Sequence, residues 1–126
     1  MIAIDSSSLI AYLEGGQGPD VEYLDTILRH RQGVLPPVAL SELLSDPTLP
    51  KQAERMLCDI PLLEILDGYW VRAGRLRALI LGKGRKARLA DTLIAQSCLD
   101  HGLALITRDA DFQPFAKLAG LQLALG

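Results

Sequence analysis

Short β-type runs alternate with longer helical patterns along this whole chain, and few folds accommodate that alternation. Ile2 and Ile4 mark a buried strand over residues 1–5, and a helical pattern follows over 6–14. The Gly-rich stretch 15–19 interrupts it; it lacks the Lys-Ser/Thr ending of a phosphate-binding loop. Val21, Leu24, Ile27 and Leu28 line one side of an amphipathic helix over 21–31, with Gly33 as its stop. Val34 and Leu35 read as a second strand, and Pro36 and Pro37 suit the entry of a helix running to Leu44.

A helix follows over 49–58, then a third strand over 62–66. Asp67 is placed to cap a long helix through Leu81, whose Tyr69, Ala73, Leu76 and Ile80 share a face. Residues 82–87 form a basic loop, and a helix over 89–101 stops at Gly102. Residues 103–106 give a fourth strand and 121–125 a fifth. The pattern predicts an α/β fold: one domain over residues 1–126, with a central parallel sheet of four to five strands and helices on both faces. Sites in such sheets form beyond the carboxyl ends of the strands.

The 126 residues suffice for a real core, and 49% of them are hydrophobic. No apolar run approaches the ~20 residues of a membrane span. The N-terminal MIAID has no basic region before an apolar core, so a cytoplasmic protein without a signal peptide is expected. Cys58 and Cys98 read as buried small hydrophobes in a reducing compartment, with a disulfide as the alternative. His30 and His101 lie near helix ends and read as structural. The net charge of −2 hides an asymmetry. Seven of the thirteen basic residues fall between Arg72 and Arg88, where no acid occurs.

Four acids fit ordinary surface roles poorly. Asp5 ends the first strand before Ser6 and Ser7, where it is either a helix cap or a site residue. Glu42 sits in the apolar VALSELL, and is either a solvent-facing Glu or one aimed at a partner. Asp91 shares a helix face with Ile94, Ala95 and Cys98, and a carboxylate on such a face needs donors or a cation. Asp109 and Asp111 follow the fourth strand beside Thr107, where a plain Asp-rich turn is the alternative. A parallel sheet brings the ends of its strands together, so Asp5, Glu42, Asp91 and Asp109 can converge on one pocket. Gathered anions repel and need a cation. All-oxygen ligands select Mg²⁺ or Mn²⁺. Such an ion activates water and polarises a phosphate, so the set suggests phosphodiester hydrolysis. The basic residues Lys83, Arg85, Lys86 and Arg88 would grip a nucleic-acid backbone, unless they merely keep the surface solvated.

The segments IDSSSLIAYL, VALSELL, LADTLIAQSCLDHGLALITRDADF and LQLAL, in this order and spacing, resemble the PIN-domain nucleases, and within them the VapC-type toxins of toxin–antitoxin pairs. The resemblance implies a three-layer α/β/α fold and a Mg²⁺-dependent endoribonuclease acting on RNA. It implies a homodimer held in check by a cognate antitoxin. Asp5, Glu42, Asp91 and Asp109 match the catalytic, metal-binding acids of the family. Ser6 and Thr107 would orient carboxylates or water, and Asp111 is an alternative to Asp109. Two phosphoryl-transfer families also place acids at strand ends. Receiver domains want a second acid beside the first, and haloacid-dehalogenase phosphatases want one two residues on; Ser6 and Ser7 hold those places. A non-catalytic RNA-binding module would not need all four acids.

Overall fold

The computed structural model describes residues 1–125. Strand β1 (Ile2–Ile4) is central, with β2 (Gly33–Val34) on one side and β3 (Leu105–Ile106) on the other, both parallel to it. Ala3 pairs with Val34 and Leu105, and Ile4 with Ile106. Helices α1 (Ser6–Leu13), α2 (Pro19–Arg29), α3 (Pro37–Leu44), α4 (Lys51–Cys58), α5 (Tyr69–Gly82), α6 (Leu89–His101) and α7 (Gln113–Ala119) fill the connections. Parallel neighbours require such crossovers. A single 3-10 turn, Ala110–Phe112, precedes α7.

The expected third and fifth strands shrink to single parallel bridges, Leu35 with Leu62 and Leu105 with Leu123. They lie outside β2 and β3, so the pairing pattern has five positions, three of them named strands. Leu62 is 49% exposed, so residues 62–66 bury too little to extend the pairing. Ile4, Leu105 and Ile106 at the centre are fully buried.

Other local expectations shift for identifiable reasons. Helix α2 starts at Pro19, whose missing N–H costs nothing in the first turn. Gly33 does not stop it: Arg31 turns the chain at φ 53°, and Gly33 lies within β2. A Cβ there would come within 2.7 Å of Ile4 Cδ1 and 3.2 Å of Ile27 Cγ2. Gly33 therefore lets the sheet and α2 close together. Asp67 does not cap α5; Gly68 takes that place at φ 81°, and the Asp67 carbonyl accepts Arg72 Nη1 at 2.7 Å. Helix α7 adds an element to the expected set, and its Pro114 and Phe115 are buried.

The face expected on α5 is buried at Tyr69, Ala73, Leu76 and Ile80. Tyr69 also donates its hydroxyl to the Leu93 carbonyl at 2.6 Å, pinning α5 to α6. The second pin is Arg72, which grips Asp100 of α6 with two bonds of 2.9 and 2.6 Å. Both cysteines are free thiols; Cys98 is buried as expected, but Cys58, at the end of α4, is exposed. His101 serves structure, with Nε2 2.8 Å from the Glu64 carbonyl. Among the described residues no helix is long and apolar enough to cross a membrane.

Candidate metal centre

The carboxyl ends of β1 and β3 lie side by side, and each delivers an acid. Asp5 leaves β1 as the N-cap of α1 and is 3% exposed. Its Oδ2 accepts the hydroxyls of Ser7 and Thr107, at 2.5 and 2.8 Å, and the Ser7 N–H at 3.3 Å. Burial pushes its carboxyl above the usual range, while the bonds from Ser7 and Thr107 oppose that rise. Asp5 is thus both a cap and a site residue, so the two sequence alternatives coincide.

Thr107 follows β3 and ties three pieces together. Its hydroxyl meets Asp5, lies 3.2 Å from Ser7 Oγ and accepts the Asp109 N–H at 3.0 Å. Asp109 then caps the 3-10 turn through the Asp111 N–H, at 2.8 Å. This double turn aims both acids back toward α6. Asp91, in the first turn of α6, meets them there: carboxylate oxygens of Asp91, Asp109 and Asp111 lie within 4.8 Å of one another. Glu42, exposed on α3, joins from a third side, and its Oε1 accepts Ser6 Oγ at 3.1 Å.

Asp91 carries the charge cost of this assembly. Burial, then the fields of Asp109, Asp5, Glu42 and Asp111, push its carboxyl up to about 6. Glu42 rises as well, through partial desolvation of its carboxyl and then Asp5 and Asp109, against the pull of Ser6. Five acids therefore share one field, where isolated surface acids would ignore each other. Lys86 reaches Asp111 at 3.0 Å, and Arg88 stands 4.0 Å from it. Both cations are exposed, so each pair contributes little, about 0–1 kcal/mol, and can be exchanged for another anion. Elsewhere in the basic segment, Arg72 is committed to Asp100 and Arg77 to the Ala87 carbonyl.

The donor set fits a small hard cation. Ligand oxygens around one octahedral Mg²⁺ lie about 2.1 Å from it, hence roughly 3–4 Å from each other. The Asp91, Asp109 and Asp111 oxygens need only a small contraction to reach that spacing. No imidazole or thiolate enters the cluster, so a softer metal has no preferred ligand here. A groove of about 500 Å³ beside Tyr12, Leu28, Arg31 and Met56 includes none of these acids.

The sequence marks Ser6 as a supporting residue and gives Ser7 and Ser8 no part in the site. Consecutive residues in a first helical turn point in different directions. Ser6 serves Glu42, Ser7 serves Asp5, and Ser8, fully buried, serves Asp20 at 2.9 Å. Three hydroxyls in a row directly after a strand-end Asp are the available signal.

Residues 2–118 match the family model for the PIN domain. The chain belongs to the PIN-domain family. Ribonuclease VapC11 of Mycobacterium tuberculosis is 31% identical, over 98% of this chain and 98% of that protein. VapBC2 of Rickettsia felis, solved bound to a DNA fragment from their promoter, includes a chain that matches with a TM-score of 0.72. It is 17% identical and covers 98% of this chain and 97% of its own. VapBC-1 from nontypeable Haemophilus influenzae gives 0.69 at 20% identity, over 98% and 96%. The PIN fold expected from the sequence is thus borne out, as a mixed α/β chain with a parallel sheet.

Proposed function

We propose that this PIN protein is a divalent-metal-dependent endoribonuclease, using Mg²⁺ or Mn²⁺, and the toxin of a type II toxin–antitoxin pair. The observation that carries the reading is the convergence of Asp91, Asp109 and Asp111, with Asp5 and Glu42 in the same field. The relative VapC11 bears the name ribonuclease, and the two structural neighbours named above are VapBC proteins. Within this reading residues 1–126 act as one domain in the cytoplasm, as a homodimer that a cognate antitoxin inhibits.

In the proposed site Asp91, Asp109 and Asp111 would hold the ion together with Asp5, and Glu42 would complete the set directly or through water. When bound, the ion supplies a Lewis acid for a phosphate oxygen and lowers the pKa of a water. Ser7 and Thr107 keep Asp5 Oδ2 occupied, which orients the remaining oxygen of that carboxylate. Glu42, raised in pKa and held only by Ser6, takes up the proton released as water attacks. Lys86 and Arg88 leave Asp111 for the RNA phosphates, with Lys83 and Arg85 beside them.

Purified protein should cleave single-stranded RNA internally. A chelator should stop the reaction, and added Mg²⁺ or Mn²⁺ should restore it. Cleavage indifferent to chelation would defeat the metal reading. No cleavage of total RNA with either ion would defeat the nuclease reading.

The basic loop carries its own expectation. Lys83→Ala, Arg85→Ala and Lys86→Ala combined should weaken RNA binding and flatten the dependence of log affinity on log salt. Every phosphate of a single strand that the protein ceases to neutralise takes about 0.7 off that slope. An unchanged slope in filter-binding titrations returns the loop to a solvated surface.

A further inference from the structure

Arg108 lies between Thr107 and Asp109, yet its side chain turns away from the acids. Its guanidinium grips Asp20 with two bonds, Nε to Oδ2 at 2.8 Å and Nη2 to Oδ1 at 2.9 Å. Nη2 also donates to the Gln17 carbonyl at 3.0 Å. Ser8 of α1 donates to the same Asp20 oxygen as Nε, at 2.9 Å. Asp20 is 6% exposed and Ser8 fully buried, while the Arg108 side chain is 39% exposed, so a partly exposed guanidinium caps a buried carboxylate with two bonds. The Arg108 guanidinium and the Ser8 hydroxyl together hold the Asp20 carboxyl down at about 2.

The loop before α2 is shaped around this pair. Gly18 has φ 140°, and a Cβ there would stand 2.8 Å from Asp20 Oδ1 and 3.2 Å from Arg108 Nη2. Asp20 sits in the first turn of α2, where the helix dipole favours a carboxylate. The Arg108 backbone is fixed too, its N–H donating to Ser7 Oγ at 3.3 Å. Ser7 is the residue that binds Asp5. The backbone of Arg108 thus anchors the loop to the start of α1, and its side chain anchors it to the start of α2.

We infer that Asp20, Arg108 and Ser8 form a brace that fixes loop 107–109 against α1 and α2, making Asp20 and Arg108 positioning residues for the site acids. The inference rests on the metal-dependent reading proposed above. Its logic is geometric. Thr107 and Asp109 bond to each other, to Asp5 and to Ser7, which hold the loop to β1 and α1, and Arg108 adds its link to α2. Arg108 commits Nε and Nη2 to Asp20 and Gln17, on the side away from the acids. A misplacement of about 1 Å at a reacting centre can cost roughly a hundredfold in rate.

The test compares two ion pairs of one kind. Asp20→Asn and Arg108→Lys loosen the brace; Asp100→Asn loosens the equally bidentate Arg72–Asp100 pair between α5 and α6. Lysine keeps the charge but not the fork, so Arg108→Lys preserves the comparison if Asp20→Asn does not fold. Calorimetric titration with Mn²⁺, thermal unfolding and steady-state cleavage are read on all three. All should lose thermal stability. Only the brace variants should bind Mn²⁺ about ten- to a hundredfold more weakly, the size of effect outer-shell partners have, with kcat falling and KM for RNA unchanged. Wild-type Mn²⁺ affinity in both brace variants, or equal weakening in Asp100→Asn, overturns the brace. Asp5→Asn separates the two levels: wild-type Mn²⁺ affinity there overturns the metal reading and the brace with it. Lost affinity there beside intact brace variants overturns the brace alone.

Discussion

Asp5→Asn and Asp91→Asn should each abolish RNA cleavage while leaving the chain folded. The expected loss is on the order of a thousandfold or more in kcat, which corresponds to about 4 kcal/mol of transition-state stabilisation. Asparagine preserves the shape and most hydrogen bonds of the carboxyl group. In Asp5→Asn the amide oxygen can still accept from Ser7 and Thr107, so the cap of α1 and the link to β3 survive. It cannot supply a negative oxygen to a cation. In Asp91→Asn the change also removes a carboxyl that burial, and then the neighbouring acids, push up to about 6. Circular dichroism should match wild type for both variants, and cleavage should fall to the background of a mock purification. Full activity in either one removes that acid from the mechanism. Full activity in both removes the mechanism.

Asp109→Asn and Asp111→Asn rank the remaining acids. Asp109 anchors the turn through the Asp111 N–H, and Asp111 is partly neutralised by Lys86 and Arg88. In the sequence the two are rivals for a single place. The geometry brings both within reach of Asp91, because the 3-10 turn folds residues two apart onto the same side. That turn depends on one side chain capping one backbone N–H, a detail that an Asp-x-Asp spacing does not reveal.

The same division runs through the fold. Alternation of strand and helix was legible because it is written in residue types: Ile2 and Ile4 around β1, the stripe of Tyr69, Ala73, Leu76 and Ile80 on α5. Strand lengths were not legible. Residues 62–66 are apolar enough for a strand, but pairing needs a neighbour on the far side, and Leu62 faces solvent at the edge. Asp5 and Asp91 stood out because an acid at a strand end or on an apolar face conflicts with its surroundings. Asp20 and Arg108 raised no such conflict. Each is an ordinary polar residue in a loop or first helical turn, and the bond between them spans 88 positions, which no local pattern encodes.

The stability of the metal-free protein should fall as pH rises from about 4 to 7, and a divalent ion should reverse that slope. An unfolded Asp titrates near 3.9, whereas Asp91 in the folded chain titrates at about 6. The folded state therefore holds a proton that the unfolded state has released. The stability linked to that proton is fully present below the unfolded value and disappears as pH passes through 6. Asp5 and Glu42 are shifted in the same direction and add to the slope. Asp20 is shifted the other way, but its window closes between about 4 and 2, below the range in question. A two-unit shift is worth up to about 3 kcal/mol, or several degrees in Tm for a chain of this size. Asp91→Asn should lack most of this loss and melt higher than wild type at pH 7 without metal. Protons compete with cations for these carboxylates, so Mn²⁺ should raise the wild-type Tm strongly at pH 7.5 and little at pH 5. An ion at 100 times its dissociation constant contributes about 2.7 kcal/mol, comparable to the repulsion it cancels. In Asp91→Asn the Mn²⁺ increment should be small at both pH values. An equal increment at pH 5 and pH 7.5, or one retained in Asp91→Asn, would mean that the ion stabilises the protein somewhere other than among these acids.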